Sequence, residues 1–238
     1  MRILLGSGGF RTEERIARLV GEMKSFFGDI PRLLFIPYAL GDHDSYVQGI
    51  VERGLHAGYE LRGLHRDDDP RGALEEAAGV FVGGGNTFRL LTEIYRLELL
   101  DVIRGRVRDG MPYLGVSAGT NIACPTIKTT NDMPIVMPPS LDALGLVPFQ
   151  INPHYFEGQV YLKQGDGYEA HLGETRDDRI REFHEMNDTP VIGLWEGGIL
   201  RIEDRQLTLV GTKARIFRKG KDPEDVAPGS RLDELLVR

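Results

Sequence analysis

The chain has 238 residues, 41% of them hydrophobic, and a formal net charge of −7. Its length suffices for one substantial core. Its Lys and Arg residues are dispersed rather than gathered into a phosphate-neutralising track, and no apolar run reaches the roughly 18 residues of a membrane span, so neither nucleic acid nor a membrane is expected as a partner.

The N-terminal residues 2–5 read as a short buried strand that runs straight into the turn Ser7-Gly8-Gly9, with no secretory leader pattern. From there the periodicity predicts helices at 12–27, 45–57, 70–77, 87–97 and 99–109, alternating with strands at 32–36, 59–64, 79–82 and 112–116. Asp69 before Pro70 is a helix start signal. This alternation predicts a single α/β domain, a three-layer sandwich around a mostly parallel sheet. After residue 125 the pattern lapses into a Pro- and Asn-rich stretch, then resumes with a charged helix at 175–186 and short added strands at 191–194, 199–202, 206–210 and 215–217. Cys124 is the only cysteine, which rules out an internal disulfide and a cysteine-built zinc site and leads us to expect a reducing, cytoplasmic location.

The sharpest chemical signal is Gly115-Val116-Ser117-Ala118-Gly119, a strand running into Gly-x-Ser-x-Gly and then a helix that must stop before Pro125. A sharp strand-to-helix turn lifts the serine out over the sheet edge, and the helix N-terminus supplies free N–H groups where an oxyanion would develop. The competing reading is a serine that only caps the helix. A serine nucleophile needs a base. Of six histidines, His56 and His184 lie in helical patterns and are expected on the surface, and His65 ends a strand. His154 follows an apolar strand and Pro153 at a point where loops leave the sheet, although a hydrogen-bonded loop histidine has the same appearance. Gly83-Gly84-Gly85, after the strand at 79–82, lacks the Lys-Ser/Thr ending of a phosphate loop and suits an oxyanion donor better. Two acids, Asp132 and Glu196, are placed in turns from which either can orient the histidine.

Several blocks in one order resemble peptidase E, the α-aspartyl dipeptidase family of serine peptidases: Val82 to Phe88, Ser117-Ala118-Gly119, Ala123 to Val136, Gln150 to His154, Gly173 to Arg176 and Val191 to Leu194. The resemblance implies a fold related to class I glutamine amidotransferases, of flavodoxin-like type, and hydrolysis of dipeptides with an N-terminal aspartate. It implies Ser117 as nucleophile, His154 as base, and Gly85 and Ala118 as backbone oxyanion donors. Glu196 is favoured as the partner of His154, with Asp132 supporting the site, and Arg176 and Asn86 as substrate contacts. No metal or cofactor is implied, the partner is a small peptide, and the assembly is a monomer or homodimer. Ser117, His154, Glu196 also places the base second, unlike the serine, acid, histidine order of α/β-hydrolases. Two features depart from the family pattern: a long aromatic segment from Tyr155 to His171, expected to form a lid or an oligomer contact, and Trp195. The alternatives are isoaspartyl or cyanophycin-type specificity, or a non-catalytic binding protein on the same fold.

Overall fold

The computed structural model describes residues 1–237. Its centre is a seven-stranded sheet. Five strands are parallel: β1 (Ile3–Gly6), β2 (Arg32–Ile36), β3 (Glu60–Gly63), β4 (Val80–Val82) and β5 (Tyr113–Val116). Two later strands, β10 (Ile199–Glu203) and β11 (Gln206–Val210), extend it antiparallel beside β1, giving the order β11-β10-β1-β5-β4-β2-β3. Alternating side chains of the buried strands point into two separate apolar layers. Leu4, Phe81 and Leu114 join Leu19, Met23 and Phe26 of helix α1 (Glu13–Phe27) and Ile50 of α2 (His43–Glu52). Ile3, Leu5, Val80, Val82 and Tyr113 face the opposite layer, built on α3 (Pro70–Glu76), α4 (Thr87–Arg96), α5 (Leu100–Arg108) and α6 (Ala118–Ala123).

The mostly parallel three-layer arrangement matches the alternation in the sequence. Helix α2 ends earlier than its apolar pattern suggests, because Gly54, Ala57 and Gly58 take positive φ values of 69°, 53° and 90° and turn the chain toward β3. Residues 124–149 are irregular, and the chain then leaves the main sheet, returning to it at β10.

A second sheet forms from β6 (Gln150–Tyr155), β9 (Val191–Trp195), β12 (Ala214–Phe217) and β13 (Glu224–Val226), in the order β13-β12-β9-β6. The strands expected at 191–194 and 215–217 therefore belong to this sheet, while those at 199–202 and 206–210 extend the main one. The segment after β6 folds as an exposed hairpin of β7 (Tyr161–Gln164) and β8 (Gly167–Ala170), which periodicity did not predict, and α7 (Arg176–Met186) follows. His184, expected at the surface, is buried in α7, where its Nε2 lies 3.1 Å from the Thr189 carbonyl oxygen. His56 lies in the turn after α2 rather than within a helix. Among the described residues no helix is long and apolar enough to cross a membrane.

Candidate active site

The site forms at the carboxyl ends of β1, β5 and β4, where loops of an open α/β sheet diverge and ligands are generally bound. Ser117 occupies the elbow between β5 and α6 with φ 55° and ψ −107°. A side chain at Gly115 or Gly119 would run into backbone, the Gly119 carbonyl oxygen in the first case and that of Val82 in the second, so the turn closes only with glycine at both places. The Ser117 hydroxyl makes no capping bond to α6; instead its Oγ lies 3.0 Å from His154 Nε2. Cys124, buried nearby at the end of α6, is no rival nucleophile, since burial pushes its thiol up to about 12.

His154 reaches the serine through an irregularity in β6. The strand does not end at Pro153; it continues to Tyr155, with its register against β9 shifted between Pro153 and Tyr155 and His154 at φ 54°. Such a bulge turns one side chain out of the pleat. Because β6 and β9 run parallel, the residue after β9 emerges beside this bulge, and that residue is Glu196. Its Oε1 lies 3.2 Å from His154 Nδ1, and Arg15 donates to Oε2 at 3.1 Å. Burial raises the Glu196 carboxyl, but hydrogen bonding and the charges of His154 and Arg15 outweigh it, leaving the pKa below the usual carboxylate value.

Asp132, the other acid, does not reach His154. Its Oδ2 accepts from the Thr87 backbone N–H at 2.8 Å, the Thr87 hydroxyl at 2.6 Å and the Thr130 hydroxyl at 3.1 Å, which satisfies the start of α4. Asn86 is also committed to that helix: its Oδ1 accepts from the Arg89 N–H at 3.0 Å and its amide donates to the Met133 carbonyl at 2.8 Å. Its side chain thus caps α4 and ties it to the loop at Met133. The N–H groups of Gly85 and Ala118 donate to no acceptor among the described residues, and both residues adjoin Ser117, Gly85 in the wall of the same cavity. Gly85 holds φ 134°, and a Cβ there would meet the Ala39 carbonyl oxygen at 2.6 Å.

Arg176 opens α7. Its guanidinium donates to Asn131 Oδ1 and stacks over the Phe156 ring at 5.3 Å. Its Nε is buried with no acceptor. Burial and the like charge of Arg179 lower its pKa, and Asp132 acts in the opposite direction. Asp132 is thus tied to the arginine through the loop that carries Asn131, not to the histidine.

Sequence reasoning missed the first loop of the chain. Ser7 is fully buried; its hydroxyl accepts from the His154 N–H at 2.8 Å and donates to the Leu194 carbonyl at 2.7 Å, pinning the bulge to β9. A Cβ on Gly8 would lie 2.5 Å from the imidazole, and one on Gly9 would lie 2.6 Å from the Glu196 carboxylate. The available signal was Ser-Gly-Gly directly after a central strand, where a backbone must pass close to other groups.

Residues 2–210 match peptidase family S51. The chain is 52% identical over 206 residues to peptidase E of Streptomyces coelicolor, covering 86% of this chain and 82% of that protein. It is 41% identical over 240 residues to a probable alpha-aspartyl dipeptidase of Drosophila melanogaster, covering 99% and 97% of the two chains. The fold is shared with a crystallised peptidase from an acI-B1 Actinobacterium (TM-score 0.66, 17% identity, covering 97% of this chain and 96% of that one). It is also shared with a putative peptidase E from Listeria monocytogenes (TM-score 0.60, 21% identity, covering 95% and 98%). With a serine elbow matched to a histidine and an acid, and a family match across most of its length, this chain belongs to peptidase family S51.

Proposed function

We propose that the chain is a serine dipeptidase that hydrolyses dipeptides with an N-terminal aspartate. The observation that carries this reading is the unbroken relay from Ser117 Oγ through both nitrogens of His154 to Glu196, with Arg176 near the same bulge. His154 Nε2 takes the hydroxyl proton as Oγ attacks the peptide carbonyl, and the Gly85 and Ala118 N–H groups hold the resulting oxyanion. His154 then delivers the proton to the leaving amine, which departs as the second amino acid. Water, deprotonated by the same imidazole, cleaves the aspartyl ester and restores Ser117. Glu196 fixes the imidazole tautomer and stabilises its cation throughout.

Arg176 provides the aspartate preference: a guanidinium with a buried, unpartnered Nε has bonding capacity left for a side-chain carboxylate, and its planar fork matches one bidentately. These residues need no metal for the chemistry described. A reducing cytoplasmic location and a monomer or homodimer built on one catalytic domain complete the proposal.

Purified protein should cleave Asp-Leu well, and isoaspartyl-Leu and Ala-Leu poorly, with or without chelator. Ser117→Ala should lower kcat by about a thousandfold or more. A reactive phosphonate should label Ser117, and full activity in Ser117→Ala would overturn the assignment.

A further inference from the structure

A cavity of about 270 Å³ opens beside Ser117 between α1 and α2. Leu19, Ile50, Phe81 and Val116 give it apolar walls, and Ser117, His154 and Gly85 border it. Neither Asn131 nor Phe156, the groups that hold Arg176, lines it, so the space is distinct from the ground that Arg176 occupies. Arg11 and Arg53, both exposed, also line it. Arg53 donates to the Phe10 carbonyl at 2.8 Å, which sets its guanidinium beside the backbone preceding Arg11. Neither arginine has a carboxylate within salt-bridge distance among the described residues, whereas their neighbours Arg15 and Arg18 are paired with Glu196 and Glu14. Two uncompensated guanidinium groups at one cavity of an otherwise acidic protein form a local site for an anion.

In every dipeptide the residue beyond the scissile bond ends in a free carboxylate, one residue or about 3.6 Å of chain farther on. Resting on the peptidase reading above, we propose that this cavity receives the released residue, with an apolar side chain against Phe81 and Val116 and its free carboxylate paired with Arg11. Arg53 adds to the positive field and steadies the loop. The pairing restricts the enzyme to dipeptides, because an amide or a further residue in place of the carboxylate forfeits the ion pair and leaves the arginines uncompensated.

The test compares kcat/KM for Asp-Leu and for aspartyl-leucinamide, with aspartyl-p-nitroanilide as a substrate that has no terminal carboxylate at all. Wild-type protein should prefer Asp-Leu over the amide by at least about tenfold, chiefly through KM. In Arg11→Ala that ratio should fall toward one. Arg11→Lys should restore part of it, and Arg11→Glu should invert it. Phosphonate labelling of Ser117 and the melting temperature identify any variant that has not folded. A wild-type enzyme indifferent to the amide, or a ratio unchanged in Arg11→Ala and Arg11→Glu, overturns this inference while leaving the peptidase standing. Failure of wild-type protein to cleave aspartyl-p-nitroanilide and Asp-Leu alike overturns the peptidase reading and this inference with it.

Discussion

Glu196 is hydrogen-bonded through one oxygen to His154 and through the other to Arg15, and its carboxyl is held below its ordinary pKa. It therefore remains ionised across neutral pH and is available to accept from the imidazole at Nδ1. Glu196→Gln, which replaces the acceptor facing Nδ1 with an amide, should lower kcat by about a hundredfold or more with KM little changed. A kcat within about twofold of wild type would remove Glu196 from the relay. At Arg176 the expected loss is of selectivity: Arg176→Lys keeps the charge but not the fork, and should cut the preference for Asp-Leu over Ala-Leu by about tenfold or more, read from the ratio of kcat/KM values. Of these side chains, Ser117 was marked by its pentapeptide, whereas His154 was read as following a strand and instead lies inside β6 at its bulge. Glu196 was favoured over Asp132 only through the family resemblance, because the two acids occupy similar turns in sequence and strand pairing is what brings one of them to the imidazole.

Strand β6 shows how an element sets a site. Its bulge at His154 exists because Ser7 holds the His154 N–H from below, while a glycine at 193 leaves room for the Tyr155 ring, which a Cβ there would meet at 2.8 Å. Helix α7 positions Arg176 from its first turn, and its start is fixed by a capping box. Thr175 Oγ1 accepts from the Asp178 N–H at 3.1 Å, and Asp178 Oδ2 accepts from the Thr175 N–H at 2.9 Å. Thr175→Ala should cost about 1 kcal/mol of stability in a urea titration. The hydrogen bonds from Thr175, joined by Arg181, lower the Asp178 carboxyl to about 2. A carboxyl depressed in the folded state stabilises it fully above the unfolded value of about 4 and loses that contribution as pH falls through about 2. The stability gap between wild-type protein and Asp178→Asn should accordingly shrink over this interval.

At the scale of the molecule, the main sheet and the second sheet meet at the site. β1 and β5 lead directly into Ser7 and Ser117, β6 carries His154, and β9 leads directly into Glu196. The β7–β8 hairpin stands apart from both. All eight of its strand residues are exposed, including Tyr161 and Tyr168, and two isolated strands contribute little stability of their own. Replacing residues 160–171 with a short Gly-Ser turn should leave the melting temperature within about 2 °C. Because the hairpin follows Phe156, which stacks on Arg176, the same change should raise KM for Asp-Leu. Scanning calorimetry and steady-state kinetics on one preparation check both outcomes.

The order of strands and helices through residue 123, the serine elbow and the glycine-rich turn at 83–85 were determined by the sequence alone, since local periodicity and steric demand are written in neighbouring residues. Tertiary structure decided the rest. It divided the late strands between two sheets, buried His184 and turned Ser7-Gly8-Gly9 from a plain turn into the support of the imidazole. It also reserved Asp132 and Asn86 for the start of α4 and left Glu196 beside His154. Each of these depends on contacts between segments far apart in the chain, whose partners no local pattern specifies.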